Sequence, residues 1–154
     1  MVEEIEAIFP NLQNSSYQVT SPENQDYNCI AWTAGDTRRW WWPDPDEWDA
    51  YWPPQLARSE TLPAFVDLFA SLGYISCAEP EYEVGFEKIA IFATAEGIPT
   101  HAAKQLPNGQ WSSKLGKLED IEHSLPDLGG SIYGSVARIM KRPVARADQA
   151  NYDS

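Results

Sequence analysis

Apolar residues recur along this chain at two different spacings, and those spacings divide it into elements. Over residues 61–73, TLPAFVDLFASLG, the residues Phe65, Leu68, Phe69 and Leu72 return at steps of three and four, which predicts a helix with one buried face. Ser59 or Thr61 caps it, Pro63 suits its first turn and Gly73 closes it. Residues 88–94, KIAIFAT, are short, apolar and partly β-branched, the pattern of a buried strand. Residues 100–106 and 111–115 predict two more strands, antiparallel because the Asn108-Gly109 pair between them favours a tight hairpin. Residues 74–77 add a short strand, and the acidic run 79–87 reads as a loop bent at Gly85. Residues 2–12 suit a short helix or an extended arm, and 15–22 a loop or edge strand with Tyr17 and Val19 on one face. Residues 118–128 read as a polar connector and about 131–141 as a helix stopped by Pro143. Residues 1–145 then form a single domain, followed by a disordered tail over 146–154.

The stretch 21–43, SPENQDYNCIAWTAGDTRRWWWP, carries the candidate chemistry. A polar lead-in gives way to a short apolar helix that Asp26 or Asn24 can cap and Gly35 can end, with Cys29 in its first turn. A helix N-terminus is partly positive and favours thiolate over thiol, so Cys29 is the candidate nucleophile. Residues 40–54, WWWPDPDEWDAYWPP, are too rich in proline for one regular element and read as an ordered loop with a helical turn over 47–51.

Composition removes several classes of function. A net charge of -12 argues against nucleic acid and anionic membrane as partners. The acidic start MVEEIEAIFP lacks the basic and apolar regions of a secretory leader, and no window offers the ~18 apolar residues of a membrane span, so the expectation is a cytoplasmic chain. Two cysteines and two histidines, at spacings that match no ligand motif, argue for no metal and no disulfide framework. Gly129-Gly130 lacks the context of a phosphate loop, and no cofactor is expected.

A neutral thiol attacks poorly unless an imidazole takes its proton and a third group fixes that imidazole's tautomer. A helix with Cys29 near its start, an intervening helix, and then a sheet whose second strand opens with His101 is an order of parts that resembles the papain-like cysteine hydrolases, in particular the NlpC-type and CHAP branch. The phrases YNCIAW, RWWWP, YWPP, EKIAIF, HAAKQL, WSSKLG and DIEH also resemble an uncharacterised family of small bacterial proteins. The papain-like resemblance implies an α+β fold, with the Cys-bearing helix packed on a small antiparallel sheet and additional helices. It implies Cys29 as nucleophile, His101 as general base and a polar group on the next strand as orienter. That strand offers Ser112 and Ser113 where the pattern has Asn, Asp, Gln or His, with Gln110, Asp120 and His123 as alternatives. The backbone N–H of Cys29 and the side chain of Asn28 or Gln25 are the candidates for an oxyanion hole.

Three functions follow. A hydrolase acting on a peptide, amide or protein substrate through a thioester requires Cys29 and His101 to meet at the floor of a cleft. A non-catalytic, acidic, protein-binding member of the same fold requires a sealed Cys29. A glycan-binding module requires solvent-facing rings among Trp32, Trp40, Trp41, Trp42, Trp48 and Trp52. Against these stand simpler roles: Cys29 and Cys77 as small core residues, His101 as a hydrogen-bonded structural histidine, His123 as a solvated residue among carboxylates, and the tryptophans as apolar anchors of an irregular loop.

Overall fold

The computed structural model describes residues 2–43, 50–115, 118–130 and 132–144. It is an α+β chain dominated by one antiparallel sheet. The strands are β1 (Gln18–Ser21), β2 (Ile75–Cys77), β3 (Phe86–Ala93), β4 (Pro99–Gln105), β5 (Trp111–Lys114), β6 (Asp120–His123) and β7 (Ser135–Pro143). They lie in the order β1-β6-β5-β4-β3-β7-β2, which puts β4 at the centre. Among the described residues three helices accompany them, α1 (Val2–Ile8), α2 (Cys29–Ala34) and α3 (Leu62–Ser71), with 3-10 turns at Pro10–Asn14 and Leu125–Leu128.

Successive side chains of a strand point to opposite faces, so the sheet sorts the core into two layers. Ile89 and Ile91 of β3, Ala102 of β4 and Met140 of β7 pack with Cys29 and Ile30 of α2 and with Phe65, Leu68 and Phe69 of α3. Their neighbours Ala90, Phe92, Ala103 and Ile139 turn to the other layer, with Ile5, Phe9, Leu12, Trp111, Ile121 and Tyr133. Phe65, Leu68 and Phe69 are fully buried, each contributing about 1.5–3 kcal/mol of transfer free energy. The α3 helix has the predicted shape: Thr61 caps it at Ala64 N–H, proline sits in its first turn, and Gly73 follows it at φ +99°.

Other expectations need correction. Residues 118–128 are no plain connector, since they contain β6, paired with β1 on one side and β5 on the other. The helix expected over 131–141 is strand β7, laddered to β3 from Phe86↔Pro143 to Ala93↔Ser135 and to β2 on its far side. Its residues are not strongly committed to strand locally, and pairing on both edges decides the conformation. Gly134, at φ +77°, starts it where any Cβ would overlap the Ala93 carbonyl. The cap of α2 is Asn28 rather than Asp26 or Asn24, while Gly35 ends that helix in the left-handed region as expected. Tyr51, placed in the expected helical turn, instead bridges to Trp41; the rest of that turn over 47–49, and the tail 146–154, lie outside the described residues.

Candidate functional site

Three polar side chains line up diagonally across three adjacent strands, on the face of the sheet away from α2. In the β5–β6 ladder Trp111 stands opposite His123 and Ser113 opposite Ile121, so His123 is the diagonal neighbour of Ser113. His101 reaches Ser113 in the same diagonal way from β4. The distances are 2.9 Å from His101 Nε2 to Ser113 Oγ and 2.7 Å from Ser113 Oγ to His123 Nε2. His123 Nδ1 lies 2.8 Å from the Ser124 carbonyl oxygen. All three side chains are buried, and burial pushes both imidazoles below the ordinary histidine value, so both are neutral near pH 7.

Neutral rings leave one consistent assignment of protons. The Ser124 carbonyl can only accept, so His123 carries its proton on Nδ1 and offers a lone pair at Nε2. Ser113 donates its hydroxyl proton to that lone pair and accepts from His101 Nε2–H. His101 is thereby left with a bare lone pair at Nδ1, in a fully buried ring, and that nitrogen has no hydrogen-bond partner. Tyr133 stacks on the ring at 4.0 Å with planes 10° apart, and Phe92 meets it edge-on at 5.3 Å. The imidazole is therefore fixed in orientation and in tautomer.

Cys29 starts α2 on the opposite layer and is 6% exposed. No hydrogen bond joins it to His101. The backbone N–H groups of Ala102, Ile30 and Cys29 itself favour its thiolate. The β4–β5 ladder pairs Lys104 with Ser112 and Gln105 with Trp111 and goes no further, which leaves the stretch around Ala102 open toward β5. Its charge acts on Tyr133, the ring that stacks on His101. The sequence leads one to expect a thiol poised to ionise, and the structure corrects this. Loss of water outweighs the helix N-terminus and the three N–H groups, and the thiol is pushed up to about 11.

A family model described as Domain of unknown function (DUF7689) matches residues 18–141. The chain belongs to the DUF7689 family. No curated protein and no solved structure matches it. The DUF7689 span runs from β1 into β7, so it takes in Cys29, His101, Ser113 and His123 and leaves out α1.

The remaining candidates in this DUF7689 chain make structural contacts. Asn28 Oδ1 accepts from Ala31 and Trp41 N–H and its Nδ2 donates to the Trp41 carbonyl, so the side chain serves as cap and clamp rather than oxyanion donor. Every described indole N–H that was a platform candidate is taken: Trp32 by Ser112, Trp40 by the Gln25 carbonyl, Trp41 by Asp36, Trp42 by Glu60 and Trp52 by the Ala57 carbonyl. Trp41 and Trp52 lie in the core, Trp42 and Trp52 pack against Phe65, and Trp32, Trp40 and Trp42 are half-buried. Trp48 lies outside the described residues. Cys77 is half-buried on an edge strand. Among the described residues no His, Cys, Asp and Glu group could hold a metal, and no helix is long and apolar enough to cross a membrane. Sequence reasoning named His123 only as an alternative orienter and missed Lys114. His123 belongs to the relay, which the alternation of Asp-Ile-Glu-His would reveal once read as a strand. Lys114 is buried on the α2 side of β5, where the alternation of Ser112 and Lys114 already places it.

Proposed function

We propose that this DUF7689 chain is a small cysteine hydrolase of papain-like type, acting on a peptide or other amide. Cys29 is its nucleophile, His101 its base, and Ser113 with His123 the groups that orient the base. The observation that carries the proposal is the bare, buried Nδ1 of His101, held in place from the far side of its ring. A histidine that served packing alone has no use for such an exact tautomer, and an unpartnered buried nitrogen is a cost that structural sites avoid.

Thiol and imidazole both start neutral, so activation occurs during attack rather than before it. Attack requires the Cys29 side chain to come within hydrogen-bond reach of His101 Nδ1, from the opposite layer where it packs here, and its proton then passes to Nδ1 as the sulfur bonds to the substrate carbonyl carbon. The imidazolium returns that proton to the leaving nitrogen as the C–N bond breaks, and a thioester remains. Water attacks next, Nδ1 takes its proton, and collapse expels the Cys29 sulfur, which recovers that proton.

The test uses p-nitrophenyl acetate on the Cys77→Ser protein, with acid quench and mass spectrometry of the acetylated peptide. Acetyl-Cys29 is expected, and His101→Ala should slow its formation by about 10²–10⁴-fold. Absence of acetyl-Cys29, or equal rates in the two proteins, overturns the proposal. The reading then favoured is a non-catalytic, acidic, protein-binding member of the family, which the low exposure of Cys29 supports.

A further inference from the structure

Where the end of α2 meets the centre of the sheet there is an open cavity of about 300 Å³, at the lower end of the range that holds small ligands. Thr33 and Gly35 border it from α2, Lys104 from β4, Glu87 from β3, Arg142 from β7 and Tyr74 from just before β2. The ladders put the strand residues on the face that α2 covers. Lys104 stands opposite Ile89, which packs in that layer, and Glu87, two residues before Ile89, stands opposite Arg142.

Two polar groups at this cavity have no counterpart. Thr33 is 4% exposed and its hydroxyl has no hydrogen-bond partner, not even the carbonyl one turn back that a helical threonine commonly takes. The Lys104 ammonium lies 3.8 Å from the centre of the Trp32 ring and joins no ion pair among the described residues; Asp120 and Glu87 act on it without pairing with it. The other charges are matched. Arg142 meets Glu87 Oε1 with Nε at 2.9 Å and Nη2 at 2.8 Å, and its Nη1 donates to the Leu72 carbonyl. Lys88, which also borders the cavity, donates to the Glu79 and Glu81 carbonyls at 2.7 Å. Lys104 and Arg142 against Glu87 leave one positive charge in excess, in a chain whose net charge is -12.

We propose that this cavity binds a small organic carboxylate, one oxygen meeting the Lys104 ammonium and the other the Thr33 hydroxyl. The chemistry of the ligand follows from the two groups left over. An ammonium and a hydroxyl can both donate, so together they select an acceptor that carries negative charge. A cation would face Lys104 and Arg142, and a dianion such as phosphate would face Glu87 with a single surplus positive charge to offset it. Tyr74 gives a short hydrocarbon body an apolar wall. The site stands apart from the hydrolase reading, since neither Cys29 nor His101 borders the cavity.

Butyrate and butyramide match in size and differ in charge, so titrating each into the ¹⁵N-labelled full chain at constant ionic strength tests the site. Butyrate should shift the amide resonances of Thr33, Gly35 and Lys104 along one saturable curve, and butyramide, sodium chloride and inorganic phosphate should not. Lys104→Met should weaken butyrate binding by about tenfold or more, and Thr33→Val, which keeps the shape of the side chain, by about 2–10-fold. The absence of a saturable shift overturns the proposal, as does an equal response to butyramide or to phosphate. Unchanged affinity in Thr33→Val overturns it too, because the hydroxyl is then a group that water satisfies and butyrate an adventitious ion on a lysine. Should Lys104→Met fail to fold, Thr33→Val and the butyramide comparison still decide. Formation of acetyl-Cys29 is unaffected by either result, so this proposal and the hydrolase reading fail separately.

Discussion

Replacing Ser113 with alanine removes one oxygen and strands two nitrogens. The Oγ atom makes bonds of 2.9 and 2.7 Å to rings that are 0% and 1% exposed, so neither His101 Nε2–H nor the His123 Nε2 lone pair can turn to water. Each buried polar group left without its partner costs about 1–3 kcal/mol, which puts Ser113→Ala at about 2–5 kcal/mol once relaxation is allowed for. An ordinary small domain holds about 5–15 kcal/mol in total, so the loss is a large fraction of what keeps the chain folded. Urea denaturation at pH 7, fitted with a common slope, measures it directly. A loss below about 1 kcal/mol, the size expected at an exposed serine, refutes the view that this hydroxyl closes the relay.

The two neutral imidazoles also predict how stability depends on pH. Both rings are held below the ordinary value of 6.5, so once pH falls through that value the unfolded chain binds protons that the folded chain refuses. Stability is therefore fully present above about pH 6.5 and falls below it, with a slope approaching about 2.7 kcal/mol per pH unit for the pair; a flat denaturation midpoint between pH 7 and 5 contradicts this. Asn28→Ala removes three hydrogen bonds, at Ala31 N–H, Trp41 N–H and the Trp41 carbonyl, so a loss of about 2–4 kcal/mol is expected in the same assay. A cost under about 1 kcal/mol would mean that the segment around Trp41 does not depend on this clamp.

What the sequence discloses and what it hides divide along physical lines. Local signals sufficed for α3, where periodicity, cap and terminal glycine agree, and for the β4–β5 hairpin, where the Asn-Gly turn fixes the pairing that brings Ser113 near His101. Long-range signals were missing for β6 and β7. Asp-Ile-Glu-His is polar enough to pass for a connector, and only its partners β1 and β5 make a strand of it. The same blindness left His123 as no more than an alternative orienter, because its neighbours in sequence are carboxylates while its neighbours in space are Ser113 and Trp111. The thiol of Cys29 shows a limit of another kind: its place at a helix start was legible, yet the sign of its shift depends on burial, which no short motif encodes.

The row of hydrogen bonds behind His101 ends at the Ser124 carbonyl, an atom with no proton to give and no second site to send one to. It is a cul-de-sac rather than a wire. A proton that arrives at Nδ1 cannot be relayed along the row to the surface, because the last station has nowhere to discharge it. It must leave by the door through which it entered. A proton held in this way is what the hydrolase proposed above requires of its base.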